Sequence, residues 1–551
     1  METLDFDLIV VGGGPAGLAA ACHAQRLAME HGQTLSIALL EKGARIGSHL
    51  LSGALVDGTV WQQLLPAADS SLPQPATPPP LHSPVREEQL WLLQAEKAHA
   101  LPIAHGWQHR HCHIASLGEL CRWLATWAEA LGVELLTGFA AVAPLWEGQQ
   151  LIGVCSGEQG RNRAGQCKPG YQPPVALRAP LTIVAEGCRG EISGRIREHL
   201  APARKPLVAR RSPQRYALGI KELWECASTQ SGQVIHTLGW PLRGVHGGGF
   251  LYHPRPHRVA LGMVIDLAYR DPWFDPFLAL QQWKTHPLLR PRLAQGRLLG
   301  YGARTLVVGG WQSLPPLSFA GGLLVGDSAG LLNAATLQGV GNAVASGMLA
   351  AETAWQAIRG RTYTADFLQR YEEAVRRSAW GQALYRVRNV RPAFRVGLTA
   401  GLLNAAWEYG TRGRSPWSWH WQHTDRQMLR PLESESKPPT APPLPDDAVV
   451  LDRHQALACS GLHYEEDQPV HLQLLDAERP LTEGRHRFAN PELRYCPAAV
   501  YALHRHADKK IYLQIHANHC LHCKCCDIKD PLDNIRWTAP QGGSGPNYPD
   551  L

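Results

Sequence analysis

The 551-residue chain has no run of about 20 apolar residues, so no segment is long enough to cross a bilayer as a helix. It also lacks any Lys/Arg-dense stretch with interleaved aromatics, which argues against nucleic acid as a partner. The formal charge of +7 is a mild basic bias, suited to an anionic membrane surface, an acidic protein or a phosphate-bearing cofactor. No basic n-region or cleavage motif precedes the apolar run after Asp7, so a chain without a secretory or organellar leader, of bacterial cytoplasmic origin, is expected. Methionine (5) and phenylalanine (9) are scarce, whereas tryptophan reaches 18, many near arginines, which fits contact with a lipid interface. The 13 cysteines are not spread as a disulfide framework, because four crowd into residues 520–526. That crowding points to a reducing compartment and a metal site.

Cys520, Cys523 and Cys526 form C-x₂-C-x₂-C, a spacing that wraps one short loop around a corner of an iron–sulfur cube. In the bacterial ferredoxin run a fourth thiol follows four residues later, but that position is Asp530, followed by Pro531. The fourth ligand must come from elsewhere. Cys525 is adjacent to Cys526 and cannot easily turn inward with it, whereas Cys496, followed by Pro497, can arrive from a separate segment. The expected set for a [4Fe–4S] cluster is therefore Cys496, Cys520, Cys523 and Cys526. A structural zinc site is the alternative, although zinc knuckles usually bring their ligands in two pairs.

At the other end, Asp7-Leu-Ile-Val-Val leads into Gly12, Gly13, Gly14, Pro15, Ala16 and Gly17 and then an alanine-rich helix. The glycines allow a tight turn, close approach to a pyrophosphate and close helix–strand packing, while the helix start offers amides to phosphate. A second strand, from Leu35 to Leu40, ends in Glu41, followed by Lys42; that acid is placed to accept from adenosine ribose hydroxyls. The fingerprint leaves the dinucleotide open. Residues 43–58 are expected to loop past the cofactor, and residues 65–102 and 156–178 to be irregular insertions. Gly322 to Leu324 forms a short strand before Gly326 and Asp327, where an aspartate can bind a ribityl hydroxyl, a group that NAD lacks. Gly339 and Gly341 open a following helix whose positive end can face the flavin N1–C2=O region.

These motifs occur in one order with Ala185-Glu-Gly-Cys-Arg-Gly190, Gly219-Ile-Lys-Glu-Leu-Trp224, Gly239-Trp-Pro-Leu242 and Gly247-Gly-Gly-Phe-Leu-Tyr-His253. Tyr301-Gly-Ala-Arg304, Ser346-Gly-Met-Leu-Ala-Ala-Glu352 and Glu465-Glu-Asp-Gln-Pro-Val-His471 continue it. From end to end the chain resembles the electron transfer flavoprotein–ubiquinone oxidoreductases. The resemblance implies an enzyme, an electron-transferring-flavoprotein dehydrogenase. FAD and a [4Fe–4S] cluster would pass electrons from reduced electron transfer flavoprotein to ubiquinone.

The implied fold mixes α/β and α+β: a glutathione-reductase-type FAD-binding domain, an inserted β-rich quinone-binding domain and a C-terminal ferredoxin-like [4Fe–4S] domain. The expected boundaries are 1–195 and 311–430 for FAD, 196–310 for quinone and 446–551 for the cluster, with a proline-rich linker after Arg430. Gly247 and Gly248 match the glycine pair that meets the quinone headgroup, although Gly247-Gly-Gly also reads as a turn. Tyr501 matches a hydroxyl donor to the cluster. Two departures stand out: Thr336-Leu-Gln-Gly339 replaces a more cationic Lys-Ile-Lys-Gly, and Cys525 replaces a threonine donor, which would lower the cluster potential.

Phe394 to Gly410 is the most apolar stretch, interrupted by Arg395, Asn404 and Glu408. Arg386, Arg388 and Arg391 precede it; Arg412, Arg414, Trp417, Trp419 and Trp421 follow. Residues 394–421 are therefore expected to lie in one leaflet, with a buried core helix as the alternative. The family resemblance implies monotopic binding at the cytoplasmic face of the bacterial inner membrane. Two other functions remain open: an isoprenoid or aromatic reductase or monooxygenase using NAD(P)H, and a flavin scaffold carrying a zinc-binding interaction module.

Overall fold

The computed structural model describes residues 1–51, 55–65, 71–103, 109–200, 212–227, 230–433, 444–445, 449–505, 510–548 and 550–551. A six-stranded sheet forms the nucleotide layer, in the order Ser318–Phe319, Gly322–Leu324, Thr182–Val184, Leu8–Val11, Ile37–Glu41, Glu134–Thr137. Its strands run parallel except for the outermost Ser318–Phe319. Leu8–Val11, Thr182–Val184 and Gly322–Leu324 are buried throughout, as central parallel strands covered on both faces require. Helix Pro15–Glu30 begins on a proline, whose missing N–H is no loss at a helix start. Small residues bring it against helix Val340–Gly360: a Cβ on Gly347 would stand 2.3 Å from Ala16 O.

The second layer is a seven-stranded sheet ordered Arg297–Val307, Tyr216–Glu225, Arg258–Asp266, Gly247–Tyr252, Gln233–Gly239, Glu87–Leu93, Ala98–Leu101. The last two strands correct the expectation that 65–102 is irregular. Glu87–Leu93 runs parallel to Gln233–Gly239, a partner too distant in sequence for local propensity to reveal. Residues 156–178 likewise hold an antiparallel pair, Gln159–Arg161 with Cys167–Gln172, and strand Val175–Arg178. Gly247-Gly-Gly opens a strand instead of making a turn.

The C-terminal segment packs against this second sheet through specific polar contacts. Tyr301 Oη donates to Pro497 O at 2.8 Å, and Thr305 Oγ1 to Cys523 O at 2.7 Å. Lys529 Nζ, fully buried, donates to Leu267 O at 2.6 Å and Tyr269 O at 2.7 Å. Most of the linker expected after Arg430 (434–443 and 446–448), like residues 52–54 of the 43–58 loop, lies outside the described residues.

The apolar stretch is broken at Gly397 (φ +124°), which separates a short turn, Phe394–Val396, from helix Leu398–Gly410. That helix is inside out. Leu402, Leu403 and Trp407 are exposed, Leu403 to 74%, whereas Asn404 and Glu408 face the protein. Asn404 Nδ2 donates to Asn389 O at 3.1 Å; Glu408 Oε1 accepts from Asn389 Nδ2 at 3.0 Å and Ser415 Oγ at 2.6 Å. A core helix turns its apolar face inward, so the buried-core alternative fails. Not all the flanking arginines reach outward, however. Arg388 is buried on the carbonyls of Gly413 and Ser415, and Arg391 pairs with Asp266 at 3.0 Å. Arg386, Arg395, Arg412 and Arg414 remain exposed. Among the described residues no helix is long and apolar enough to cross a membrane.

Candidate functional site

One cavity of about 1790 Å³ runs from the first strand–helix turn, past the second sheet, to the inside-out helix. Gly12, Gly14, Pro15, Ala16, Glu41, Lys42, Gly326, Asp327 and Gly339 line it. Gly13 and Gly17 stand behind the wall. Gly13 N–H donates to Glu41 Oε2 at 3.0 Å, and Gly43 N–H to Oε1 at 2.7 Å, which fixes the carboxylate while leaving lone pairs for further donors. A Cβ on Gly17 would fall 2.0 Å from Gly12 O, and one on Gly12 2.4 Å from Ala185 O. Gly14 and Gly341 differ: a Cβ on either would meet no protein atom within 4 Å, but only Gly14 of the two lines the cavity, the open approach that a pyrophosphate needs.

Midway along, the cavity gathers charged groups that the sequence reading passed over. Arg304 has a buried Nη1 with no hydrogen-bond partner among the described residues, a donor suited to an anionic or carbonyl group in the cavity. Burial holds the Asp327 carboxyl up at about 6, with Arg304 drawing it back. Lys42 is pushed well below the ordinary lysine value by burial and then by Lys524 and Arg304, with Glu41 and Glu186 drawing it back, so three basic groups stand close together in the wall. An anionic cofactor supplies negative charge opposite them, and these residues therefore fit FAD. Lys524 and Trp537 also line the wall, so the cysteine loop itself reaches the cavity. Arg304 could have been found in the quoted Tyr301-Gly-Ala-Arg304, and Lys524 between two candidate ligands; nothing local marks Trp537.

At the far end the cavity meets Gly247, Gly248, Leu238, Phe250 and Tyr252 of the second sheet. It then reaches Val396, Leu402 and Tyr409 beside the inside-out helix, where Val396 is 66% exposed. The glycine pair is demanded by strand packing as well, since a Cβ on Gly248 would stand 2.6 Å from Thr237 O.

Cys496, Cys520, Cys523 and Cys526 are all buried. The loop turns through left-handed residues at His522 (φ +54°) and Lys524 (φ +61°), and His522 N–H donates to Cys520 Sγ at 3.4 Å. Burial pushes each of the four thiols up, and in Cys523 the other three ligands add to it. Four converging buried thiolates require a cationic core. One zinc at ~2.3 Å from each sulfur would draw them to within about 4 Å of one another. Among the described residues, however, the only His/Cys/Asp/Glu group with ligand atoms inside 4.8 Å is Glu88, His109 and His236. The wider separation suits a cube with one iron per thiolate. Asp530, in the ferredoxin ligand position, instead accepts backbone N–H groups from Asn534 and Ile535 and shapes the following turn. Tyr501 Oη is buried beside the Cys526 thiol and makes no hydrogen bond of good geometry among the described residues. Cys525 is fully buried.

Three family models match the chain: the electron transfer flavoprotein-ubiquinone oxidoreductase 4Fe-4S domain over 447–549, the ubiquinone-binding domain of the same proteins over 216–306, and an NAD(P)-binding Rossmann-like domain over 10–65. The chain is 37% identical to the electron transfer flavoprotein-ubiquinone oxidoreductase of Pseudomonas aeruginosa, with all of both chains covered. It is 39% identical to the mitochondrial protein of that name from Oryza sativa subsp. japonica, covering 99% of this chain and 93% of that one. To the Homo sapiens protein it is 37% identical, covering 99% and 89%. Among solved structures, a geranylgeranyl bacteriochlorophyll reductase-like protein from Thermoplasma acidophilum covers 74% of this chain and 98% of its own at TM-score 0.53 and 18% identity, a likeness of fold. With a flavin-type nucleotide cavity, a quinone-domain match on the second sheet and a four-cysteine cluster loop in one full-length alignment, the chain belongs to the electron transfer flavoprotein–ubiquinone oxidoreductase family.

Proposed function

We propose that this chain takes electrons from reduced electron transfer flavoprotein and delivers them to ubiquinone, using FAD and a [4Fe–4S] cluster. When bound, FAD exchanges one or two electrons and the cluster exchanges one. The observation that carries the reading is the single cavity that begins at the dinucleotide turn, has Lys524 of the cluster loop in its wall and ends beside an exposed apolar helix.

Each part of the chain has a role in that arrangement. Glu41 receives ribose hydroxyls, Gly14 and the start of helix Pro15–Glu30 face the pyrophosphate, and Asp327 faces the ribityl chain. Lys42, Arg304 and Lys524 line the cavity as basic groups beside the ring system. Gly247 and Gly248 lie where the quinone headgroup enters, and Cys496, Cys520, Cys523 and Cys526 hold the cluster. The domains divide as 1–195 with 311–430, 196–310 and 446–551, with strands 87–101 completing the quinone sheet. Leu402, Leu403, Trp407 and Trp417, edged by Arg395, Arg412 and Arg414, rest in one leaflet of the inner membrane on its cytoplasmic face, so the quinone tail can stay in lipid.

Anaerobic purification followed by iron, labile-sulfide and flavin analysis tests the cofactor assignment. About four irons and four sulfides per FAD are expected. Zinc without labile sulfide would replace the cluster by an interaction module.

A further inference from the structure

Turning a quinone into a quinol takes two protons as well as two electrons, and the quinone end of the cavity is walled by Leu238, Leu242, Phe250 and Val264. The seven-stranded sheet carries a line of titratable groups away from this apolar end. His236 pairs with Phe250, so Gly248, two residues along, is its diagonal neighbour on the same face, about 7 Å away by strand geometry. On the next strand Glu88 pairs with Val234, which places it diagonal to His236 on that same face. Glu88 Oε1 stands 3.8 Å from His236 Nε2 and 2.6 Å from His109 Nδ1. His109 Nε2 lies 3.0 Å from Thr336 O, while Glu88 Oε2 accepts the His109 backbone N–H at 2.9 Å. With Glu88 ionised, both oxygens that face the His109 ring are acceptors, so the geometry favours a proton on each ring nitrogen.

We propose that His109, Glu88 and His236 form a buried path that supplies protons to the quinone. The proposal rests on the placement of the quinone at Gly247–Gly248. His236 gives an N–H proton to the reduced quinone oxygen. A proton leaving His109 passes through the Glu88 carboxylate to His236 Nε2, so for each O–H bond made two N–H bonds break, one at His236 and one at His109, and one forms at His236 Nε2; a turn of the His236 ring restores its starting tautomer before the next pass. His109 is buried, at 3% exposure, but next in the chain to exposed Arg110, where the proposed path meets solvent and His109 regains its proton. Two passes complete one quinol, with the electrons supplied by the electron-transfer reaction itself.

The surroundings suit this role. Burial would raise the Glu88 carboxyl, but the His109 ring and backbone N–H outweigh it and hold the group below the ordinary carboxylate value. Burial would lower His109, and Glu88 and the Thr336 carbonyl outweigh it in turn. Burial brings His236 down to about 4, so it rests neutral and can both give and take a proton. Two further titratable groups near Glu88, among the described residues, stay uncharged: burial pushes the Cys112 thiol up to about 12 and raises the Tyr252 phenol.

The test compares two acceptors in detergent-solubilised holoenzyme: a short-chain ubiquinone, which takes protons, and ferricenium, which takes none. His109→Asn and His236→Gln are each expected to lower the ratio of quinone to ferricenium rate at least about tenfold and to enlarge the solvent deuterium isotope effect on quinone reduction. Added imidazole is expected to restore part of the His109→Asn loss. An unchanged ratio in both variants, or equal loss with both acceptors, overturns the path. So does stoichiometric zinc that disappears with His109→Asn, because a metal-held trio has no proton to pass. Photolabelling with an azidoquinone separates the two levels of the argument. Label within residues 234–252 upholds the placement whether or not the path survives, and label elsewhere removes both.

Discussion

Lys524, between two cluster cysteines, lies over the indole of Trp537 with its Nζ 4.1 Å from the ring centroid, and Lys42 from the nucleotide layer approaches the same ring at 4.6 Å. One aromatic ring thus joins the cluster loop to the flavin cavity, held by cation–π contacts from two lysines. Because Lys524 lines that cavity, Lys524→Met removes positive charge from the wall beside the flavin. The flavin midpoint potential is expected to fall by about 30 mV, equivalent to ~1.4 kcal/mol for a two-electron couple. Spectroelectrochemical titration checks it; an unchanged potential would contradict a charged Lys524 beside the flavin.

Tyr501 and Cys525 are predicted to tune the cluster in opposite senses. A hydroxyl donor to a cluster sulfur stabilises the reduced, more negative state, and a thiol donates more weakly. Tyr501→Phe lowers the cluster potential and Cys525→Thr raises it, with little change at the flavin. A redox titration followed by electron paramagnetic resonance reads the cluster alone, and a fall in Cys525→Thr would contradict the assignment.

Glu492 gives the fold a pH dependence of its own. Burial raises its carboxyl from 4.5 to about 7, against a bond from Asn490 Nδ2 at 2.8 Å. Between these values the folded chain holds a proton that the unfolded chain has lost, so stability falls as pH rises through the window, by ~3 kcal/mol once above about 7. Glu492→Gln keeps an acceptor for Asn490 and removes that loss. Urea unfolding is expected to show the variant more stable than the parent at pH 8 and no more stable at pH 4.

The inside-out helix gives a membrane test. Leu403→Asp with Trp407→Asp changes two exposed side chains and gives up the 3.3 Å bond from Trp407 Nε1 to Ser415 Oγ, while the inward bonds of Asn404 and Glu408 to Asn389 stay in place. Co-sedimentation with anionic vesicles is expected to drop at least about tenfold, because charged groups resist the headgroup–acyl boundary. Reduction of a water-soluble short-chain quinone in detergent is expected to persist. Unchanged vesicle binding would place the membrane face elsewhere.

The parts legible in the sequence were those with local signatures. Gly12 to Gly17, Glu41 and Gly326-Asp327 stand on strands that buried apolar runs announce, and Cys520, Cys523 and Cys526 announce themselves by spacing. Strands hidden by proline and polar residues, Glu87–Leu93 above all, take their identity from a partner some 140 residues away. The same pairing brings Glu88 to His236, so that cluster could not be read from either segment alone. Arg388 and Arg391 looked interfacial because a linear reading cannot tell a snorkelling arginine from one folded back onto carbonyls. Glu408 misled in the opposite way: it looked like an interruption of an apolar helix, and it is the residue that anchors the helix to the protein.

The most direct test of the whole account is anaerobic: ubiquinone reduction by reduced electron transfer flavoprotein, catalysed by the detergent-solubilised protein carrying FAD and cluster. Rapid quinol formation that depends on the protein donor, with negligible oxidation of NADPH in its place, is the expected result. Vigorous NADPH oxidation without quinol formation from the flavoprotein donor would contradict it and return the chain to the nicotinamide-linked flavin reductases or monooxygenases.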